Sequence, residues 1–276
     1  MIYNMNTKKL YFNDLSDIIK DEKVSFKKDN KVIIRNGHTG EIIHEGTNKV
    51  TLAGSSFTAQ KSLNIDIPVN TPSYNAELGL ENSVIEDPGV PGLRREHQVI
   101  LFAVGNDGCG PEQNQVYDVK YESWIKPENL IPFRYRPLSN DLTDLERTTY
   151  FGRYTTETEA YYYFKAFDLI PQFTQRYTDG TIIDEDIYSS MKPESVESFV
   201  QIKLKITDVD FREYFEHIND TSGYKINSLS LLTAWAKEID GKTYYQDIRP
   251  YTKYHFPNES LLEETKMLDI TYIIYY

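Results

Sequence analysis

The sequence predicts a mainly β protein with the architecture of an antiparallel β-sandwich, a few short helices and long irregular loops. Three observations lead to this prediction. The last nine residues, 268–276, are β-branched and aromatic and at first alternate with a period of two. Residues 200–208 alternate strictly between apolar and polar side chains. Further strand patterns follow residue 228 at short spacing, with an Asp240-Gly241 turn between two of them, which is typical of a sandwich.

Two short helices are predicted in the first quarter of the chain. Residues 8–22 place their apolar side chains on one face and predict a peripheral helix. A second, packed helix is expected where Phe57 and Leu63 follow Ser55 and Ser56, because serine is a favourable N-cap residue. Both helices are expected to lie at the margin of the β structure.

A hairpin is predicted between these two helices. Apolar runs at residues 31–35 and 41–45 flank Asn36-Gly37, and Asn-Gly between two such runs is a strong short-range hairpin signal. The connection is longer than the ideal two-residue turn. The hairpin therefore needs a bulge or a looser loop.

The middle of the chain alternates between irregular and strand-like stretches. Residues 64–97 are rich in proline and predict an ordered excursion or a contact loop. Residues 98–104 predict a buried strand, and residues 116–121 and 131–136 predict two more. The last of these is expected at a sheet edge, because Pro132 has no backbone donor.

Aromatic residues are densest at residues 155–167, which predict either a strand or a short interfacial segment. The consecutive Tyr161, Tyr162 and Tyr163 followed by Phe164 favour a strand with both faces covered. Residues 171–196 then read as a polar connection, because prolines, Asp-Gly and an acidic run interrupt the pattern.

The chain is accordingly divided into three segments. Residues 1–46 form an N-terminal helix and hairpin, residues 47–195 a β-rich domain with the proline-rich excursion, and residues 196–276 a C-terminal antiparallel sandwich portion. Strands at 228–235, 244–249 and 251–256 are expected in the last segment. The first segment is either an arm for a neighbouring subunit or an intramolecular cap.

Composition excludes several classes of function. The net charge of -12 disfavours binding of nucleic acid phosphates, so no direct nucleic acid contact is expected. No window approaches the roughly 18 apolar residues of a membrane span, and no cleaved signal is recognisable at the N-terminus. The single cysteine, Cys109, excludes an intramolecular disulfide and a thiol cluster for zinc. We expect a chain made in the cytoplasm of a host cell.

No motif predicts catalysis, a cofactor or a metal. The glycine-rich residues 105–111 follow a strand but lack the Gly-Lys-Ser/Thr ending of a phosphate-binding loop, so a turn is the better interpretation. Cys109 has no histidine at a spacing that argues for a catalytic pair. The five histidines lie in separate segments; His38 and His44 could face each other across the hairpin, but two ligands do not make a zinc site.

Acidic clusters are the remaining candidates for chemistry. Paired carboxylates cleave glycosides or bind calcium only where they converge in space. Capping of a helical turn by Asp141 or Asp144, and the end of a strand at Asp208, are the plainer interpretations. The clusters are Asp208, Asp210 and Glu213; Asp184, Glu185 and Asp186; and Asp141, Asp144 and Glu146.

Two stretches resemble virion structural proteins of large tailed bacteriophages. The first comprises residues 48–61 together with residues 107–117. The second runs from residue 226 through residues 254–257 to residue 276, and it is similar to β-sandwich attachment modules of phage tail and fibre proteins. The resemblance covers less than half of the chain and includes no catalytic residues. It implies a virion component whose partners are itself and other virion proteins.

The expected function is therefore non-enzymatic assembly in the tail, baseplate or neck of a phage particle. A terminus rich in Tyr and Ile is expected to be held in a sheet or by a partner, because it would otherwise be an aggregation template. The alternatives are capsid decoration and a carbohydrate- or receptor-binding module, since 22 Tyr and two Trp, Trp124 and Trp235, offer faces on which sugars stack. The candidate assembly residues are Ile270, Tyr272, Ile274, Tyr275, Tyr276, Tyr161, Tyr162 and Tyr163.

Overall fold

The computed structural model describes residues 29–63, 73–81, 97–110, 115–119, 129–177, 196–219, 225–260 and 267–276. Two antiparallel sheets pack together within these residues, which confirms the predicted mainly β class. The strands are β1 (Lys31–Asn36), β2 (Ile42–Thr47), β3 (Lys49–Val50), β4 (Gln98–Gly105), β5 (Leu130–Ile131), β6 (Arg134–Pro137), β7 (Tyr150–Thr155), β8 (Glu159–Ala166), β9 (Gln172–Tyr177), β10 (Val196–Thr207), β11 (Lys225–Ile239), β12 (Lys242–Ser260) and β13 (Met267–Tyr275). The helices are α1 (Leu52–Leu63), α2 (Tyr74–Leu78) and α3 (Arg212–His217).

Sheet 1 has five strands in the order β2-β1-β13-β10-β9. The C-terminal strand β13 lies at its centre, where Ile270 is opposite both Ile34 of β1 and Leu204 of β10. The alternation read from the sequence places these three side chains on one face, and all three are buried. The prediction that the terminus is locked in a sheet is confirmed.

The hairpin β1–β2 is integral to sheet 1. Its register shifts between Ile34 and Arg35, so the predicted irregularity is present as a bulge. β1 pairs with β13 from the far end of the chain, and β9 comes from the middle of the chain. The sequence boundaries at 46 and 195 therefore do not separate independent sheets, and the described part of the N-terminal segment is no free arm.

Sheet 2 has eight strands. Six follow the order β3-β12-β11-β4-β8-β6, while β5 pairs with β4 and β7 pairs with β8. Its largest hairpin joins β11 and β12 through the predicted Asp240-Gly241 turn. Residues 244–249 and 251–256 were expected as separate strands but belong to the single strand β12. Pro250 is accommodated because the register shifts beside its partner Leu232.

The main core lies between the two sheets. Val32 and Ile202 of sheet 1 pack in one cluster with Phe102 and Leu229 of sheet 2. The opposite face of sheet 2 is also covered, since Tyr74 of α2 packs in a second cluster there. Sheet 2 is buried on two faces, which explains the nearly continuous apolar runs of β4 and β11.

Several local predictions differ from the structure. α1 begins at Leu52, ahead of Ser55 and Ser56, because the Thr51 hydroxyl oxygen accepts the Gly54 backbone N–H at 3.0 Å. The expected strand at 116–121 is reduced, in its described part, to one bridge between Cys109 and Val116.

The middle of the chain shows two more differences. Residues 131–136 are split between β5 and β6. β9 lies in what was read as a polar connection. The predicted helix at 8–22 and Trp124 lie outside the described residues.

Candidate functional site

An exposed apolar group lies at the β9 edge of sheet 1. Leu169, Ile170 and Phe173 are more than half exposed, and Ile170 reaches 88%. Asp168, which precedes them, is anchored because its Oδ2 accepts the Lys205 backbone N–H at 3.2 Å. We call these three residues the β9 edge group. Large apolar side chains clustered on a sheet edge are typical of a contact surface.

The position of Phe173 at the edge of sheet 1 explains why its side chain is exposed. Phe173 lies opposite Val200 of β10, on the face of sheet 1 that is turned toward the core. Its side chain is nevertheless 63% exposed, so the packed interior does not extend to β9. Within the residues that the structure describes, no strand pairs with the outer side of β9.

The residues of β13 proposed for assembly have mostly internal roles. Ile270, Tyr272 and Ile274 are buried between the sheets, so their side chains stabilise this chain and do not reach a neighbouring molecule. Tyr275 is partly buried and packs against Phe199 with ring centroids 5.7 Å apart. Tyr276, which follows β13, is 72% exposed.

The aromatic run in β8 is likewise built into the fold. Tyr162 is buried and its hydroxyl donates to Asp141 Oδ1 at 2.8 Å; burial and this hydrogen bond raise the pKa of Tyr162 to about 12. The Tyr161 hydroxyl donates to Glu159 at 2.7 Å. Tyr163 is partly buried, and burial raises its pKa to about 12. These tyrosines occupy a covered strand, as the consecutive aromatics indicated.

A cleft of about 490 Å³ opens between the turn of the β11–β12 hairpin, strand β7 and the end of α2. We call it the hairpin cleft. Aromatic rings and charged groups of both signs line it, a combination that suits a ligand with apolar faces and hydrogen-bonding groups. The lining includes Glu81, Asp144, Arg147, Tyr150, Phe151, Arg153, Tyr162, Asp240, Lys242, Tyr244 and Tyr245.

Asp141 holds the two arginines of the hairpin cleft. Its Oδ2 lies 2.6 Å from an Nη2 atom of both Arg147 and Arg153. Arg153 also forms an ion pair with Glu81. Asp141 or Asp144 was expected to cap a helical turn; Asp141 instead receives two guanidinium groups and the Tyr162 hydroxyl, so it fixes the cleft wall.

A buried charged pair connects the two sheets away from these surfaces. Lys165 of β8 donates to Asp210 Oδ2 at 3.2 Å and to the Lys205 backbone carbonyl of β10 at 2.9 Å. The Tyr150 hydroxyl donates to Asp210 Oδ1 at 2.7 Å. Burial and the nearby Asp210 charge raise the pKa of Tyr150. Through these contacts with Lys165 and Tyr150, Asp210 stabilises the packing of the two sheets against each other.

The glycine-rich loop after β4 is packed against the β11–β12 hairpin. The Gly108 N–H donates to Asn227 Oδ1 at 2.7 Å, and Asp107 Oδ2 lies 2.5 Å from Lys253 Nζ. The Cys109 thiol donates to the Phe256 carbonyl at 3.0 Å, and burial raises its pKa. These contacts support the interpretation as a structural turn.

The histidines of the hairpin do not converge. His44 contacts Glu259 at 3.1 Å, whereas His38 lies in the exposed turn. Across the described ranges, no group of three or more His, Cys, Asp or Glu side chains could hold a metal ion. No helix in the described part of the chain is long and apolar enough to cross a membrane.

The β9 edge group was not among the sequence candidates. A usable signal was present, because Phe173 and Tyr177 recur within a stretch of strand-forming residues. The surrounding prolines and acidic residues concealed it. Comparison with known proteins adds no assignment: no family model, curated protein or solved structure matches the chain.

Proposed function

We propose that this chain is a non-enzymatic structural component of a bacteriophage virion, which mediates protein–protein assembly in the tail, baseplate or neck. The observation that carries the proposal is the β9 edge group: Leu169 and Ile170 precede β9, Phe173 lies on it, and no strand among the described residues pairs with its outer side. Exposed apolar surface next to free backbone groups favours pairing with another protein. The viral context comes from the resemblance of residues 48–61 and 107–117 to virion structural proteins of large tailed phages, and of the stretch from 226 to 276 to attachment modules of tail and fibre proteins.

The covered interior agrees with a scaffold role. The central strand β13 of sheet 1 is paired on both sides, and a charged pair between Lys165 and Asp210 lies buried where the sheets meet. Such a body holds its edges in fixed positions, which repeated contacts in a symmetric particle require.

The test is direct detection in particles. Virus particles are purified by density gradient from the culture that produces the chain, and its peptides are quantified by mass spectrometry relative to the most abundant particle proteins. A constant ratio across the particle peak is expected. Peptides found in the lysate but absent from the particle peak would refute the proposal.

The hairpin cleft supports a second candidate function, binding of a glycan. Tyr244 offers an aromatic face beside Lys242 and Asp144, whose ion pair places a donor and an acceptor at the rim. A glycan panel is probed with the purified chain and with Tyr244→Ala. Tyr117→Ala, an exposed tyrosine outside the cleft, is the matched control. Binding that both variants retain, or no binding by the parent chain, would remove this candidate.

A further inference from the structure

We propose that the two outer edges of sheet 1 are the two halves of one interface, so that β9 of one copy pairs with β2 of the next and the chain assembles head to tail into a ring. This inference rests on the proposed assembly function and names its partner, a second copy of the same chain. In the described residues, neither β2 nor β9 has a strand on its outer side.

Strand directions allow the sheet to continue from copy to copy. All four pairings in sheet 1 are antiparallel, so its first and fifth strands, β2 and β9, run in the same direction. A rotation about an axis along the strands then brings β9 beside β2 of the next copy as a parallel pair. Such a heterologous contact closes into a ring when the rotation divides a full turn.

The charges on the two edges are complementary. Glu45 lies opposite Ile33, on the face of sheet 1 away from the core. Arg176 lies opposite Glu197 of β10. Side chains alternate between the two faces of a strand, and Glu197 is an odd number of residues from Ile202, which faces the core. Glu197 and Arg176 therefore lie on the same outer face as Glu45. Joining β9 to β2 therefore brings an arginine and a glutamate to one face of the new pair.

The same charges disfavour the symmetric alternatives. A symmetric β9–β9 contact would bring two Arg176 side chains, without an opposite charge from either edge strand, to one face of the new pair, and a symmetric β2–β2 contact would do the same with Glu45. Like charges on neighbouring strands are destabilising. The intramolecular partners leave both groups reachable, since Arg176 and Glu45 are each more than a third exposed as side chains.

Apolar surface is present on both edges. Phe173 on β9 and Ile42 on β2 are exposed, and β9 contains no proline or lysine of the kind that protects free edges in monomers. An edge that displays Phe173 without such protection is expected to be covered in the working assembly.

The test measures the mass of the full chain by light scattering over a wide range of concentrations. The parent chain is expected to form one closed oligomer larger than a dimer. Phe173→Asp and Ile42→Asp each damage one edge and are expected to yield monomers. Leu145→Asp is the matched control, because Leu145 is an apolar residue outside sheet 1 that is even more exposed than Phe173 and Ile42, and it should leave the mass unchanged.

Mixing the two edge variants distinguishes head-to-tail from symmetric contacts. Each variant retains one intact edge, so an equal mixture is expected to give a capped dimer of twice the 32.2 kDa chain mass. A monomeric parent chain, an edge variant that retains the parent mass, or a mixture that stays monomeric would overturn the proposal. These outcomes leave the particle test unaffected, so failure of the interface is separable from failure of the virion function.

A charge exchange provides a second test if an aspartate variant fails to fold by circular dichroism. Glu45→Arg and Arg176→Glu are each expected to reduce the oligomer, and the double variant to restore it. Lys203→Glu, on the exposed face of β10, which is paired on both sides, is the control. Equal losses in the double and single variants would overturn the proposed edge contact.

Discussion

Replacing Asp210 by alanine is expected to be among the most destabilising single changes in this protein. Asp210 is only 1% exposed. Besides Lys165 Nζ and the Tyr150 hydroxyl, it accepts the Thr207 backbone N–H at 2.7 Å and the Thr207 hydroxyl at 3.1 Å. The variant leaves the Lys165 ammonium buried without its carboxylate. Breaking a buried pair in this way costs about 3–5 kcal/mol of unfolding free energy.

Urea denaturation followed by circular dichroism measures this loss. The variant Lys165→Met removes the other charge, and the double variant Asp210→Ala/Lys165→Met removes both. Because the double variant leaves no uncompensated charge, its cost should be smaller than the sum of the single costs by about 2 kcal/mol. Additive losses would show that the two groups do not depend on each other.

The matched control is Asp144→Ala, which removes the same chemical group from an exposed ion pair with Lys242 at 2.7 Å. No measurable change in the denaturation midpoint is expected, because solvent screens the exposed pair. The reasoning is refuted if Asp210→Ala loses less than about 0.5 kcal/mol of unfolding free energy, the range of an ordinary surface substitution.

Three further predictions concern packing, topology and pH. Gly108→Ala is expected to lower the melting temperature, because the added Cβ would lie 2.0 Å from the Asn227 carbonyl oxygen; an unchanged melting temperature would contradict this. Deletion of residues 270–276 is expected to abolish cooperative unfolding, since both β1 and β10 lose their partner; a sharp thermal transition would contradict it. Burial lowers the pKa of the His255 imidazole in the folded chain below its ordinary value of 6.5. The neutral imidazole therefore contributes stability that is fully present above pH 6.5 and is lost as the pH falls from 6.5 through the lower pKa of the folded state. His255→Asn, which retains a donor toward the Tyr117 carbonyl, should therefore show a weaker loss of melting temperature between pH 7 and pH 5 than the parent chain, and parallel curves would refute the assignment.

Local strand formation was largely predictable. The run at 200–208 was predicted from period-two alternation, because burial of one sheet face imposes that pattern. The run at 98–104 was predicted as a buried strand from its continuous apolar residues, and the hairpin from its Asn-Gly turn. The start of α1 was not predictable with the same accuracy, since Thr51 competes with Ser55 and Ser56 as a cap and the choice depends on its contact with the Pro250 carbonyl.

The candidate surface was harder to predict than the strands. Ile270 and Tyr272 attracted attention as apolar terminal residues, but sequence alone does not distinguish a strand buried in its own sheet from one offered to a partner. Phe173 lies in a stretch interrupted by proline and charge, and its exposure depends on where the core between the sheets ends.

The sequence by itself determined the β class, the positions of most strands and the need to bury the apolar strand at 268–276, because these depend on the alternation of neighbouring side chains. The tertiary structure decided which strands pair, that β13 lies between β1 and β10, and that Lys165 meets Asp210. It also decided which sheet edges lack a further strand among the described residues. These features depend on contacts between residues far apart in the chain, and the period of a strand carries no information about the identity of its partner.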